Sequence, residues 1–278
     1  MYTAFNLKIG AEYFNDFDDL YIKGTKRKDQ LQKDSKTELE KFITSEGLID
    51  GTRLSEDWFQ TVQSDVFISH SHNDQNLAFA VAGWLTKKFG LNVFMDEVIW
   101  GSADELLRTI DDKYCWDSKS KTYDYKKRNL TTSHIHAMLS TAIYSVMDRT
   151  EIVLFLNTSE SLPSVGNVLN EDSKYTLSPW IYQELMATKL LRITNWSEYR
   201  QKAVLEHFQP KYELEKLKIA YKTPVDDLTL LDEDKLNQWL DNYDNKGITL
   251  YGELLLSEIS SHPLNYLYDI VFEKEDKK

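Results

Sequence analysis

Cysteine is nearly absent from this sequence of 278 residues: Cys115 stands alone. One thiol cannot build a disulfide framework or a cysteine-rich zinc site. It lies in "DKYCWD", where acids dominate, so no cationic surroundings lower its pKa for nucleophilic work, and it reads as a small buried residue. Basic residues are also in deficit. The chain has 33 Lys and Arg against 45 Asp and Glu, a formal charge of −12. Nucleic-acid binding draws its affinity from neutralising phosphates, so no such partner is expected. The densest basic stretch, "KGTKRKDQLQK", is followed at once by acids and reads as a solvated helix face.

Long apolar runs are missing too. No window approaches 18 apolar residues, and the opening "MYTAFNLKIGAEYF" lacks the apolar core of a secretory signal. A soluble, cytoplasmic chain is expected, with no membrane partner. Three phosphate or nucleophile motifs are absent. G-x-G-x-x-G does not follow the first clear strand, and neither G-x-x-x-x-G-K-[ST] nor G-x-S-x-G occurs. An ordinary dinucleotide fold, a P-loop enzyme and a hydrolase elbow are therefore unsupported. No metal site is expected. His134 and His136 sit at i, i+2 in a predicted helix and do not share a face, and no carboxylate lies near at ligand spacing.

What is present is enough for a sizeable core, with 41% hydrophobic residues. Residues 1–63 read as a helical N-terminal extension. Leu31, Leu39, Phe42 and Ile43 recur at helical spacing, Gly47 is the stop, and Ser55 can cap a second short helix. The core begins at Asp65. "VFIS" is short and apolar, as a strand buried on both faces would be. "DQNLAFAVAGWLTKKFG" follows as a helix ending at Gly90, and "LNVFMD" is the next strand, completing a βαβ unit. "SADELLRTIDDKYCW" reads as a helix from a capping box at Ser102 and Glu105. Residues 117–130 read as a loop insertion. "TTSHIHAMLSTAIYSVMDR" is helical and "TEIVLFLN" is the strongest strand. "SPWIYQELMATKLLRI" opens with Ser178 as N-cap and Pro179 at the first helical position. Beyond residue 195 the pattern weakens. "LKIAYK" reads as a further strand, while "DEDKLNQWLDNY", "GELLLSEI" and "HPLNYLYDIVF" read as helices.

This order describes an α/β protein with an open, mostly parallel sheet and helices on both faces. Such sheets bind ligands outside the carboxyl ends of their strands, which singles out Ser69 to His72, Asp96 to Gly101 and Asn157 onward. In "PWIYQEL", Trp180 and Glu184 are i and i+4 on one helix. That places a carboxylate beside an aromatic plate, an arrangement able to stabilise a developing cation and to stack on a flat ring.

These stretches together resemble the TIR (Toll/interleukin-1 receptor) domain in its bacterial, Thoeris-like antiphage form. "DVFISHSHND" resembles the family's first strand and following loop. "GLNVFMDEVIWGSADELLRTID" resembles its second strand, its long connecting loop and the next helix. "TEIVLFLN" followed by "SPWIYQEL" resembles its third strand and W-x-x-x-E helix. The resemblance implies a flavodoxin-like TIR fold over residues 64–240, with an insertion at 117–130 and a helical C-terminal extension at 241–278. It implies a hydrolase of NAD+ that breaks the nicotinamide–ribose bond through Glu184. The product would be ADP-ribose or a cyclic or conjugated form of it, serving as an antiviral signal to a downstream effector. NAD+ is then substrate, and no cofactor is implied. By the same resemblance Ser69, His70, Ser71, Asp96, Trp100, Gly101 and Trp180 contact the substrate, and the domains self-associate. Two other readings stay open. One is a non-catalytic TIR interaction module. The other is a nucleoside deoxyribosyltransferase-like enzyme, whose nucleophile signature is lacking.

Overall fold

Ile152–Leu156, the most apolar run in the chain, forms a strand with every residue buried and a partner on each side. The rest of the architecture is arranged around it. The computed structural model describes residues 1–32, 39–59, 64–95, 97–163, 174–191, 193, 221–222, 224–244 and 262–272, with backbone alone at 27–32, 97–102 and 221–222. The elements are β1 (Thr3–Leu7), α1 (Phe17–Gln32), α2 (Gly51–Trp58), β2 (Val66–Ser69), α3 (Gln75–Phe89), β3 (Val93–Met95) and α4 (Glu97–Tyr114). Then come β4 (Trp116–Asp117), β5 (Thr122–Tyr123), α5 (Tyr125–Arg149), β6 (Ile152–Leu156), β7 (Tyr175–Thr176) and α6 (Pro179–Leu190). The chain continues through β8 (Tyr221–Lys222), β9 (Thr229–Leu231), α7 (Glu233–Asp244) and α8 (Pro263–Phe272).

Five strands make one parallel sheet in the order β3-β2-β6-β1-β9. Helices cover both faces, so the α/β class holds and the sheet is compatible with a flavodoxin-like fold. Side chains alternate between the faces as the pleat requires. Phe5, Leu7, Val66, Ile68, Ile152 and Leu154 meet α1, α3, α7 and α8 in one core. Ala4, Phe67, Phe94 and Val153 meet α2, α4 and α5 in the other, where Phe67 and Phe94 stack 5.7 Å apart. Phe155 points the same way as Val153 and packs under Ile181 and Leu185 of α6. The leftward connections, β1 to β2 and β2 to β3, pack α1 and α3 on one face, and the first also sends the short α2 to the other. The rightward ones, β3 to β6 and β6 to β9, carry α4, α5 and α6 on the other. Right-handed crossovers demand this division.

The main correction concerns residues 1–63, which are not a helical extension. Thr3–Leu7 fills the sheet position between β6 and β9, so the sheet reaches outside 64–240. The strand "TAFNL" is short and carries a polar residue, Asn6, and its partners lie far along the chain, so no local pattern announces it. Three helix starts also move. α2 begins at Gly51 with the Asp50 carboxylate accepting from the Arg53 amide at 3.1 Å, which leaves Ser55 inside the helix. α4 begins at Glu97, so Ser102 is not its cap. Both points offer an acid or hydroxyl before a helical pattern, and such signals are locally degenerate. α5 begins at Tyr125, capped by Asp124, so the expected 117–130 loop is a two-stranded hairpin followed by a helix. The Gly90 stop holds: its φ is +68 and its amide reaches Thr86 O at 3.1 Å. Ser178 caps α6 by accepting from the Ile181 amide at 3.3 Å.

At the C-terminal end, α7 and α8 form part of the core. Trp239 is fully buried, stacks on Phe89 with centroids 4.1 Å apart, and donates its indole N–H to Pro263 O at 2.8 Å. The Tyr268 hydroxyl donates to the buried Glu151 at 2.7 Å. "GELLLSEI" and most of "LKIAYK" lie outside the described residues; the described part of the latter, Tyr221–Lys222, is a strand. Among the described residues no helix is long and apolar enough to cross a membrane.

Helices α1 and α3 cross in direct backbone contact. A Cβ on Gly24 would lie 2.0 Å from Phe79 O, and one on Gly83 would lie 1.9 Å from Leu20 O. Each helix therefore supplies a glycine to the other's backbone. Gly83→Ala must push the pair apart, and the expected loss is about 1–3 kcal/mol, as for other overpacked cores. Urea unfolding monitored by tryptophan fluorescence measures it. A shift indistinguishable from zero would show that the two helices do not approach this closely.

Candidate functional site at the carboxyl edge of the sheet

The connections leaving adjacent strands β2 and β6 go to opposite faces: α3 on one, α6 on the other. Divergence of this kind defines a topological switch point, where open α/β sheets receive ligands. β2 delivers Ser69 there, as its last residue. The chain after β6 returns as α6, whose Ser178 cap and Pro179 fix its start. One turn into that helix stands Glu184.

Ser69 Oγ donates to Glu184 Oε2 at 2.6 Å. Both residues are 1% exposed. That distance is at the short end for an O–H···O bond, and such a bond is stronger away from water. Two residues from opposite ends of the motif set thus meet across the switch point. His70 is also buried, at 5% exposure. Ser71 is half-buried and starts a short 3-10 turn, its carbonyl accepting from the Asp74 amide at 2.8 Å.

The remaining expectations fare differently. Asp96 lies outside the described residues. Trp100 and Gly101, expected in a long connecting loop, lie in the opening turns of α4. A glycine within a helix costs about 1 kcal/mol, which the flanking helical sequence overrides here. Trp180 is half-buried and packs against the α5 side of the core, its ring edge-on to His136 at 5.3 Å. It therefore braces the helix that carries Glu184. Burial pushes the His136 pKa below its ordinary value, so the ring beside Trp180 is neutral at pH 7. Cys115 is buried as expected, and burial raises its thiol pKa, with the Asp111 hydrogen bond adding to the effect.

Three features of this edge carry no role in the sequence reading. Asp74 is N-cap of α3, yet makes no side-chain cap bond. Its carboxylate crosses to the loop after β6 and accepts from Thr158 Oγ1 at 2.5 Å and Ser161 Oγ at 3.2 Å. Thr158 Oγ1 in turn accepts from the amides of Glu160 and Ser161, each at 3.1 Å. Asn73 adds a bond to Glu160 at 2.6 Å. The loops on either side of the switch point are thereby clasped together. Asn6 is the other unforeseen residue. Register places Ser69, Phe155 and Asn6 in one row across three strands, and Asn157 Nδ2 donates to Asn6 Oδ1 at 2.8 Å. The polar interruption of "TAFNL" is the one local signal that could have revealed it.

Asp74→Ala removes the acceptor of two hydroxyls, and a cost of about 1–2 kcal/mol is expected. Hydrogen exchange at the Glu160 and Ser161 amides should accelerate. Unchanged protection there would show that the clasp does not hold the loop. No family model, curated protein or solved structure matches the chain, so the functional reading rests on the site's own geometry and motifs.

Proposed function

We propose that this chain is a TIR-type NAD+ nucleosidase in which Glu184 is the catalytic carboxylate. One observation carries the reading: the Glu184 carboxylate, bound by Ser69, sits at the switch point of a parallel sheet. The chemistry asks for little more. The nicotinamide of NAD+ already carries positive charge, so the bond from its ring nitrogen to ribose C1′ breaks without a general acid. The electron pair leaves with neutral nicotinamide. Positive charge develops on C1′ and the ring oxygen, as in glycoside hydrolysis. A carboxylate fixed in a low-dielectric setting stabilises that charge. Water adds at C1′ and gives up a proton, leaving ADP-ribose. If an atom of the same molecule adds instead, the product is cyclic, an outcome favoured when that atom is held close. Such a product would signal to a downstream effector in antiphage immunity.

In this reading Ser69 orients the carboxylate before substrate arrives, and a ribose hydroxyl then takes over as donor. Trp180 braces α6 against α5. Any contact from Trp100 or Gly101 comes from the start of a helix. The strand that a flavodoxin-like sheet holds in its fourth position, in the order 2-1-3-4-5, is supplied by residues 3–7.

The competing reading, a non-catalytic TIR interaction module, draws support from the near-complete burial of Glu184, which a structural pin would also show. NAD+ turnover and NAD+ affinity separate the two. Glu184→Gln should lower nicotinamide release by roughly a hundredfold or more, in the range seen when an electrostatic stabiliser is lost. Ser69→Ala should lower kcat about tenfold with a smaller effect on KM. Full activity in Glu184→Gln would remove Glu184 from the mechanism. No calorimetric binding of NAD+ to the wild-type chain would favour the scaffold.

A further inference from the structure

The position of Thr3–Leu7 gives this sheet a second point of divergence. A flavodoxin-like sheet of order 2-1-3-4-5 has its switch point between the first and third strands. β2 and β6 hold those places here. β1 fills the fourth place, but its connection carries α1 back toward β2 on one face, while the chain leaving β6 returns as α6 on the other. The carboxyl ends of β6 and β1 therefore diverge as well, and the same rule marks the edge between them as a place for a ligand.

The side chains at that edge are amides. Leu7 and Ile9 pack in the core with α1 and α3, which leaves Asn6 on the face of α6. Asn157 continues β6, its backbone N–H donating to Leu7 O at 2.8 Å, and its side chain shares the face of Phe155. Asn157 Nδ2 donates to Asn6 Oδ1 at 2.8 Å. That bond orients both side chains and leaves two polar groups over, the NH2 group of Asn6 and Oδ1 of Asn157. Neither has a partner among the described residues, and neither is fully sealed from solvent. Asn6 is nevertheless only 8% exposed. Polar groups of a side chain so deeply buried are ordinarily paired.

Leu230 supplies an apolar neighbour. Register sets it beside Asn6 in the same row, and because Leu231 enters the opposite core, Leu230 shares the face of Asn6. It is 38% exposed. One exposed leucine is ordinary. Next to an oriented pair of amides, it offers a surface for a flat ring.

The group this edge can read is neutral, because the amides carry no charge and the chain as a whole is at −12. It must carry an acceptor beside a donor. Adenine does: a ring nitrogen accepts and the neighbouring 6-amino group donates, a pattern that asparagine side chains read. Guanine's 2-amino group would add a second donor on its matching edge, against one free carbonyl.

We infer that the Asn6–Asn157 pair is a reading site for an adenine base at this second point of divergence, with Leu230 against the ring. Asn6 Nδ2 donates to a ring nitrogen, and the 6-amino group donates to Asn157 Oδ1. The site does not depend on the reaction proposed above. Ser69 and Asn6 are two strands apart, about 10 Å, with Phe155 between them. A base held here belongs either to the substrate of Glu184 or to a separate nucleotide, and both present the same edge.

Calorimetric titration of the full chain with adenosine tests this. Saturable binding of one nucleoside per chain is expected, and the side-chain NH2 signals of Asn6 and Asn157 should shift in a nitrogen–proton NMR spectrum. The 6-dimethylamino analogue of adenosine has no N–H to give and should bind roughly 10–100-fold more weakly, the range for a lost base-edge contact. Asn157→Ala should weaken adenosine by a similar factor and leave the analogue nearly unmoved, because both changes remove the same bond. Leu230→Glu alters an exposed position and should weaken both ligands. Glu184→Gln should bind adenosine as the wild type does. Adenosine that competes with NAD+ assigns the base to the substrate; adenosine that binds without competing assigns it to a second nucleotide. Absence of saturable binding, equal affinity for the two nucleosides, or affinity unmoved by Asn157→Ala and Leu230→Glu would overturn the inference. So would loss of adenosine binding in Glu184→Gln, which would put the nucleoside at Glu184 instead.

Discussion

The ladder that β6 makes with β2 on one side and β1 on the other is the constraint on which this molecule depends. Each residue of Ile152–Leu156 is paired to β1, and Ile152–Phe155 to β2 as well. Every side chain of the strand is buried, so its backbone has no water to fall back on, and losing either neighbour would strand its donors and acceptors. The ladder also sets register across the sheet. Ser69, Phe155 and Asn6 form one row because these pairings allow no slip. A shift of one residue would turn every side chain to the other face.

The candidate site follows from that row together with the division of helices between faces. α3 leaves β2 on one side while α6 returns on the other, so their starting points flank the same pair of strand ends. Glu184 is brought to Ser69 by α6 packing on Phe155 through Ile181 and Leu185. Apolar packing thus positions a charged group. A buried carboxylate loses hydration, and a short hydrogen bond from Ser69 offsets part of that cost. The clasp from Asp74 to Thr158 and Ser161 keeps the two loops in register above it. These are one physical device: polar groups at the ends of strongly apolar strands, held by the packing beneath them.

Much of this was legible locally. "VFIS", "LNVFMD" and "TEIVLFLN" are apolar enough to declare strands. Gly90 terminates its helix in the left-handed conformation, and the Ser178–Pro179 start of α6 is unambiguous, because each rests on interactions within one turn. Glu184 could be singled out from its spacing to Trp180 and the motifs before it. The start of α2 was misplaced because two capping residues, Asp50 and Ser55, lie five residues apart, and only packing chooses between them. The hairpin at 116–123 escaped notice because its alternation is too short to register. Asp74 gave no sign of bonding to Thr158, since a capping aspartate and a cross-loop acceptor look identical in sequence.

The sequence by itself determined the α/β class, the identity of three sheet strands, and the residue types that reach their carboxyl ends. These depend on periodicity and on contacts within a few residues. Only the tertiary structure decided that Thr3–Leu7 lies inside the sheet, that Ser69 meets Glu184, and that Asn6 joins their row. A strand as short as β1 has no independent stability; its backbone bonds exist only once β6 and β9 are alongside. Pairings between distant segments carry no local signature, because their free energy appears only when the chain has closed around a common core.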